Sequence, residues 1–143
     1  MQDTALESFR LFVVGAHLSG EPLNHQLTAL NGRLSRAVRT APCYRLFALP
    51  GMPARPGMIR AVASAGAIEG EIWMLPPDSF GRFVHAVPAP LTIGRIELES
   101  GESVSGFLCE SYATAGCPEI TAYGGWRRYR ETLLQTLLAS AAS

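Results

Sequence analysis

The first part of the chain has the hydrophobic pattern of a buried strand that ends in a loop of small residues. Residues 9–14 are dense in β-branched and aromatic side chains, which predicts a strand. Gly15 and Ala16 follow it, and then His17. Because Gly15 tolerates dihedral angles that larger residues resist and Ala16 adds little bulk, this loop is able to bring several backbone N–H groups close to an anion. The alternative interpretation is a plain turn with His17 solvated at the surface.

An amphipathic helix is predicted next, over residues 22–38. Asn24 falls in its first turn, from which the amide side chain is able to point back to the loop around His17. Asn24 is therefore a candidate for ligand binding, with a solvated helix start as the alternative. The helix is predicted from apolar residues that recur at spacings of three and four and so share one stripe: Leu23, Leu27, Leu30, Leu34 and Val38.

Strand patterns dominate the middle of the chain. Residues 43–49 and 58–63 predict short strands on either side of a loop rich in proline and glycine at 50–57. Residues 67–75 predict a longer strand, and a tight turn at 64–66 favours a hairpin with 58–63. Glu69 and Glu71 share one face of the longer strand. Two carboxylates on one face indicate either general acid–base chemistry or two solvated positions.

The second half of the chain predicts a short helix followed by another hairpin. The helix begins near residue 76, because proline is tolerated in a first turn and Asp78 complements the partial charge there. His85 lies off its apolar stripe and is expected to be exposed. Residues 91–99 and 103–112 predict the hairpin. Glu110 and Tyr112 share a face there, so Tyr112 either lines a pocket or faces solvent.

A last helix is predicted from Trp126 onward. Trp126 and Tyr129 lie three residues apart and are expected to dock the helix on the sheet, although the arginines beside them also suit an anionic ligand. Four later leucines of this helix are expected to pack inward: Leu133, Leu134, Leu137 and Leu138.

These elements together predict an α+β fold. Strands outnumber helices, hairpins dominate and no regular βαβ alternation is visible, which favours a small, mainly antiparallel, partly closed β-barrel with two or three flanking helices. A chain of 143 residues is long enough to bury a core without metal or disulfide support and is expected to form one domain, 1–143.

Composition excludes several classes of partner and site. Lys plus Arg equals Asp plus Glu at 12 each, so no basic surface for nucleic acid is expected, and a small partner fits better. The cysteines number three and lack CxxC spacing, which predicts free thiols and no zinc site. Because the chain shows neither a leader pattern nor an apolar run of membrane-spanning length, we expect a cytoplasmic protein.

No generic catalytic motif is present in the sequence. It lacks the GxSxG elbow, the P-loop, HExxH, the Rossmann glycine pattern and a Ser/Lys-rich amidase segment. The loop at Gly15 is therefore the main candidate for a site.

A series of motifs in order nevertheless resembles the C-terminal domain of allophanate hydrolase over about residues 10–129. The motifs are FVVGAHL (12–18), PLNH (22–25), TAPCYRL (40–46), IEGEIWMLP (68–76), FGRFV (80–84), PAPLTIG (88–94), VSGFLCE (104–110) and ITAYGGWR (120–127).

The resemblance implies a fold similar to that of the γ-glutamyl cyclotransferases. In those proteins the loop after the first strand holds a carboxylate with backbone amides, and the residues that match it here are Val14, Gly15, Ala16 and His17. The catalytic glutamate of the cyclotransferases falls at about Val87. Without that carboxylate the base for the attacking amine is missing, so cyclotransferase activity is the least favoured function.

The resemblance further implies a role in urea degradation. The C-terminal domain of allophanate hydrolase acts on N-carboxycarbamate, which loses carbon dioxide and leaves carbamate that falls apart to ammonia and carbon dioxide. His17 is the implied proton donor, the loop amides at Gly15, Ala16 and Leu18 would hold the anion, and an arginine not identified from the sequence would balance its charge. Asn24, Glu71 and Tyr112 complete the candidate substrate-binding residues.

Two classes of function therefore stay open. The first is a cofactor-free and metal-free decarboxylase or hydrolase-like domain for a small anionic substrate, which works downstream of an amidase that these 143 residues do not contain. The second is a non-catalytic module that binds a small acid or assembles with an amidase.

Overall fold

A computed structural model describes residues 7–142 of the chain. Its main sheet has five strands in the order β2-β5-β1-β7-β6, and a smaller sheet pairs β3 with β4. The strands are β1 (Phe9–Val13), β2 (Arg33–Arg39), β3 (Tyr44–Leu49), β4 (Arg55–Arg60), β5 (Glu69–Leu75), β6 (Leu91–Glu97) and β7 (Ser103–Cys109). The helices are α1 (His25–Thr28), α2 (Pro77–His85) and α3 (Trp126–Ala142), with short 3-10 turns at Ser111–Thr114 and Thr121–Tyr123.

Strand β1 is the centre of the main sheet, as its apolar sequence requires. Leu11, Phe12 and Val13 have no exposed surface. Strand β1 is antiparallel to β5 and parallel to β7, and the pairs β2–β5 and β6–β7 are antiparallel. A strand buried between two neighbours favours a continuous apolar run over alternation. The mainly antiparallel α+β class is therefore confirmed. The hairpin predicted over 91–99 and 103–112 is confirmed as β6 and β7, although β7 ends at Cys109 and Tyr112 lies in the turn Ser111–Thr114.

The predicted partly closed barrel is not confirmed. Strands β2 and β6 are the edges of the five-stranded order. Within residues 7–142, they are linked beyond their ends by the isolated antiparallel bridge between Thr40 and Leu98. The two edges thus meet only at one end, and the described residues do not form a closed barrel.

The helix predicted over residues 22–38 is wrong for most of its length. The helix α1 covers four residues and is followed by the edge strand β2. Asn31 adopts a positive φ of 65°, and the N–H of Gly32 donates to the Leu27 carbonyl at 2.8 Å, which closes the end of the helix. Leu27 is fully buried, whereas Leu34 is 48% exposed. The apparent stripe of leucines thus joins two different elements, and helical spacing alone did not detect the break at Asn31.

The predicted hairpin of residues 58–75 is also wrong. Strand β4 pairs with β3 in the small sheet, while β5 pairs with β1 and β2 in the main sheet. The loop predicted at 50–57 ends earlier than expected, because β4 begins at Arg55 and includes Pro56. Strand β4 lies on the edge of a two-stranded sheet, where proline is tolerated. Arg55 therefore lies at the start of a paired strand and not in the predicted loop.

The last helix docks by its first turn and leaves its leucines exposed. Trp126 is 2% exposed within the main core and Tyr129 packs against that core, as predicted. The four leucines expected to pack inward are instead 43–60% exposed: Leu133, Leu134, Leu137 and Leu138. Periodicity predicts that these residues share a face, but it does not predict what covers that face.

The remaining observations concern His85, the cysteines, and the helices and polar clusters of the described residues. His85 is exposed, as predicted. The three cysteines are free thiols, which was also predicted. Among residues 7–142, no helix has the length and apolar composition of a membrane span, and no cluster of His, Cys, Asp or Glu side chains is arranged to hold a metal ion.

Candidate functional site

A cavity of about 560 Å³ opens beside the loop that follows β1. Its walls come from this loop, from α1 and α2 with the residues after them, and from β4 and β7. Val14, Gly15, Ala16 and His17 all line it. The loop that the sequence singled out is therefore part of the wall of a mainly apolar cavity that also carries a few polar groups, which is the usual character of a ligand site.

The loop is held tightly against strand β4. The N–H of Leu18 donates to the Gly15 carbonyl at 3.0 Å, and the N–H of Leu23 donates to the Ala16 carbonyl at 2.8 Å. A Cβ atom on Gly15 would lie 2.2 Å from Cδ of Pro56, so a larger residue would force the loop and β4 apart. Glycine is needed here for close approach of the two segments, and that approach places His17 and Arg55 in one cavity.

The imidazole of His17 is oriented by three neighbours. Its Nε2 lies 2.8 Å from Oε1 of Gln26, which accepts a hydrogen bond in the tautomer that carries the proton on Nε2. The ring stacks on Phe107 at a centroid distance of 5.0 Å and meets the edge of Phe83 at 5.1 Å. Asn24 supports the same loop, since its Nδ2 donates to the His17 carbonyl at 2.8 Å.

Burial holds the pKa of His17 below its ordinary value of 6.5. Desolvation is the main cause, the hydrogen bond to Gln26 opposes it, and the positive charges of His25 and Arg55 lower the pKa further. The imidazole of the unliganded protein is therefore neutral at pH 7. A bound anion would reverse this effect, because a nearby negative charge stabilises the imidazolium form.

The cavity is lined by two arginines and two histidines and has no carboxylate among its described lining residues. Arg55, Arg82, His17 and His25 line it, and no aspartate or glutamate does. The Nε of Arg55 is buried and has no hydrogen-bond partner within residues 7–142. A desolvated guanidinium donor without a partner is costly, and a carboxylate is the group that satisfies it best. This arrangement suits an anionic ligand.

The opposite side of the loop has balanced charges. Glu71 is 5% exposed and accepts hydrogen bonds from the N–H and the hydroxyl of Ser19 at 2.8 and 2.7 Å and from Nε1 of Trp73 at 3.0 Å. Nη1 of Arg127 lies 3.4 Å from the same carboxylate, and Arg127 also donates to the Ser19 carbonyl. Burial raises the pKa of Glu71, but the Ser19 and Trp73 hydrogen bonds with Arg127 outweigh it and lower the pKa below 4.5.

The structure brings some of the predicted site residues together and separates others. Gly15, Ala16 and His17 line the cavity, and Asn24 contacts the loop through the His17 carbonyl. Leu18 is 3% exposed and lies towards Glu71, on the other side of the loop. Tyr112 is 65% exposed in the turn Ser111–Thr114 and does not line the cavity.

Sequence reasoning missed the cavity residues that come from other elements. Arg55 was assigned to a proline-rich loop, and neither Gln26 nor Phe107 was singled out as a site residue, although Phe107 lies within the motif VSGFLCE and Gln26 directly follows PLNH. Val87, the position where the resemblance puts the glutamate of the cyclotransferases, lines the same cavity. The signal available for Arg55 was its position between two prolines next to a predicted strand.

Comparison with known proteins identifies the family. The sequence pattern of the allophanate hydrolase C-terminal domain matches residues 9–131. The chain belongs to that family. The urea amidolyase of Saccharomyces cerevisiae is 46% identical to this member over 131 residues, which are 88% of this chain and 7% of the relative. The member described here thus spans less than a tenth of the length of that relative.

Solved structures of relatives have the same fold as this allophanate hydrolase C-terminal domain. Kluyveromyces lactis allophanate hydrolase superposes with a TM-score of 0.85 at 39% identity, over 93% of this chain and 22% of that chain. A uropathogenic E. coli-specific protein superposes with a TM-score of 0.82 at 36% identity, over 88% of this chain and 98% of that chain. A γ-glutamyl cyclotransferase, at 12% identity and a TM-score of 0.54, shares the fold alone.

Proposed function

We propose that this domain binds N-carboxycarbamate in the cavity beside His17 and catalyses its decarboxylation. The observation that carries the proposal is the unpartnered Nε of Arg55 in a cavity that has no carboxylate among its described lining residues. One carboxylate of the substrate would pair with Arg55, and the other would lie against the backbone amides of the loop at Gly15 and Ala16.

The proposed reaction breaks one C–N bond. The carboxylate that leaves as carbon dioxide gives its bonding electron pair to nitrogen, and nitrogen takes a proton, so that carbamate is formed. Carbamate then takes a second proton and separates into ammonia and carbon dioxide. His17 would supply the first proton, since the dianion raises the pKa of the neutral imidazole and substrate binding charges the ring.

The proposal includes the setting in which the domain works. The substrate would come from an amidase activity that cleaves allophanate, and this is supported by the allophanate hydrolase and urea amidolyase relatives, of which the chain spans a minor part. We propose a cytoplasmic site for the activity, supported by the three free thiols. Val87 in the cavity wall argues against cyclotransferase chemistry, because no carboxylate is available there as base.

The test uses the variant His17→Asn in an assay coupled to an amidase that supplies N-carboxycarbamate. We expect release of labelled carbon dioxide to fall to the spontaneous rate, because asparagine keeps hydrogen bonding but does not transfer a proton at neutral pH. The control is His85→Asn, which should keep the rate of the unmodified domain, because His85 is exposed and lies outside the cavity. Equal rates for His17→Asn and the unmodified domain would contradict the role of His17, and a rate of the unmodified domain equal to the spontaneous rate would favour the non-catalytic module.

A further inference from the structure

The cavity is larger than the substrate proposed for it. N-carboxycarbamate has seven non-hydrogen atoms, and even at the ~30 Å³ that one water molecule occupies in the liquid it would fill at most about 210 Å³. The cavity measures about 560 Å³. More than half of the space is therefore left when both carboxylates are bound.

The remaining wall of the cavity is apolar. Of the 20 residues that line it, five have polar side chains, and these are His17, His25, Gln26, Arg55 and Arg82. The other 15 are apolar or glycine. Several of them flank the two short helices or begin β6, and they are at least partly exposed in the unliganded protein: Leu23, Leu30, Ala86, Val87 and Leu91.

We propose that the site takes small dicarboxylates or N-carboxylated carbamates whose central atom carries an apolar substituent of about four to six carbon atoms. This inference rests on the proposed function for the polar part of the cavity, where Arg55 and the loop hold the carboxylates. A substituent on the central atom would extend towards the wall formed by Leu30, Ala86 and Val87, and burial of that wall favours the substituted ligand.

The apolar substituent would contribute to the free energy of ligand binding by leaving water for the apolar wall. Each methylene that moves from water into an apolar wall improves binding by up to about fourfold. Part of this gain is lost because a flexible chain is ordered on binding and because the cavity is open to solvent. We therefore expect a butyl group to improve binding by at least about tenfold.

Isothermal titration of the purified chain with malonate and with butylmalonate tests the inference. Both ligands carry two carboxylates on one central carbon, so they differ only in the substituent. We expect butylmalonate to bind at least about tenfold more tightly than malonate. If malonate binds and butylmalonate binds no better, the inference is overturned while the proposed function stands. If neither ligand binds, the anion site itself is absent and both proposals fail.

A variant of the apolar wall localises the effect. Ala86 is exposed at the end of α2 and lines the cavity, so Ala86→Phe fills space without disturbing the core. We expect butylmalonate to lose its advantage over malonate in this variant. Ala63→Phe is the matched control, because Ala63 is exposed and outside this cavity. An undiminished butyl advantage in Ala86→Phe would overturn the assignment of this wall.

Discussion

The two sides of the loop of residues 15–20 differ in whether a buried charged group has partners within the fold. On one side the carboxylate of Glu71 is surrounded by Ser19, Trp73 and Arg127. On the other side the guanidinium of Arg55 lines a cavity without a carboxylate among its described residues, and its Nε has no partner there. Both groups are partly or fully buried, so the difference lies in their partners.

This difference separates a structural role from a ligand-binding role. A buried charge whose partners are all supplied by the fold adds to the uniqueness of that fold, and removing it leaves those partners unpaired. A desolvated charge whose partner is missing costs stability, and it is retained where a ligand completes the pair. We therefore propose that Glu71 positions the loop and that Arg55 is the arginine that balances the charge of the ligand.

The largest effect is expected from Glu71→Ala. The change leaves the Ser19 N–H, the Trp73 Nε1 and Arg127 without their common acceptor, and we expect the free energy of unfolding to fall by about 3 kcal/mol. The value allows for the partial exposure of Arg127. Denaturant-induced unfolding followed by tryptophan fluorescence measures the change.

Glu69→Ala is the matched control for Glu71. Glu69 lies two residues away on the same strand and pairs with Arg128 at 2.9 Å, but both side chains are largely accessible to solvent. Such a pair contributes less than about 1 kcal/mol. Equal losses of stability in the two variants would contradict the distinction between a buried, fully paired carboxylate and an exposed one.

Arg55→Met should have the reverse profile. Loss of a charge-assisted hydrogen bond to the ligand is expected to weaken malonate binding by about 10- to 100-fold. The free energy of unfolding should change by less than about 1 kcal/mol, because within residues 7–142 the Nε of Arg55 has no partner to lose. Titration calorimetry and denaturant unfolding of the same variant measure both quantities.

The control for Arg55 is Arg95→Met. Arg95 is exposed on β6, outside the cavity, and bonds the Ser105 hydroxyl at 3.3 Å. We expect its malonate affinity to equal that of the unmodified domain. A stability loss in Arg55→Met as large as that of Glu71→Ala would show that Arg55 is a structural residue, and the contrast between the two sides of the loop would be lost.

The sequence predicted the loop residues of the cavity better than the residues that other elements bring to it, for a physical reason. Gly15, Ala16 and His17 follow one another, so their shared location depends only on the local turn after β1. Arg55 reaches the same cavity through the pairing of β4 with β3, which local patterns do not determine. The family resemblance supplied the role of the loop, but it did not indicate which arginine lies beside it.

The fold shows the same limit at two places. The central strand β1 and the hairpin of β6 and β7 were predicted correctly, because their apolar pattern and turn lie within one short segment. The prediction of a helix over residues 22–38 was wrong because Asn31 adopts a positive φ, which ends the helix although the apolar spacing continues beyond it. The burial of the α3 leucines was predicted wrongly for a different reason. Their spacing places them on one face of the helix, but it does not determine whether another element covers that face.

The smallest effect is the pH dependence of the two sides of the loop. The pKa of Glu71 is below 4.5 in the folded protein, so its contribution to stability is complete above pH 4.5 and is lost as the pH falls through the folded pKa. The pKa of His17 is below 6.5 in the unliganded fold, so its contribution is complete above pH 6.5 and is lost as the pH falls through its own folded pKa. Unfolding curves recorded across this range should therefore show an earlier decline that disappears in His17→Asn and a later decline that disappears in Glu71→Ala.

Binding of a dianion should shift the pKa of His17 upwards and leave Glu71 ionised. A bound dianion raises the pKa of His17, so malonate affinity increases as the pH falls from about 8 to about 6, and each binding event takes up part of a proton. Titration in two buffers that differ in ionisation enthalpy measures this uptake. His17→Asn should bind without it, whereas Glu69→Ala should keep it. Uptake that persists in His17→Asn would mean that another group in the cavity takes the proton, since Glu71 lies on the far side of the loop and is already ionised throughout this range.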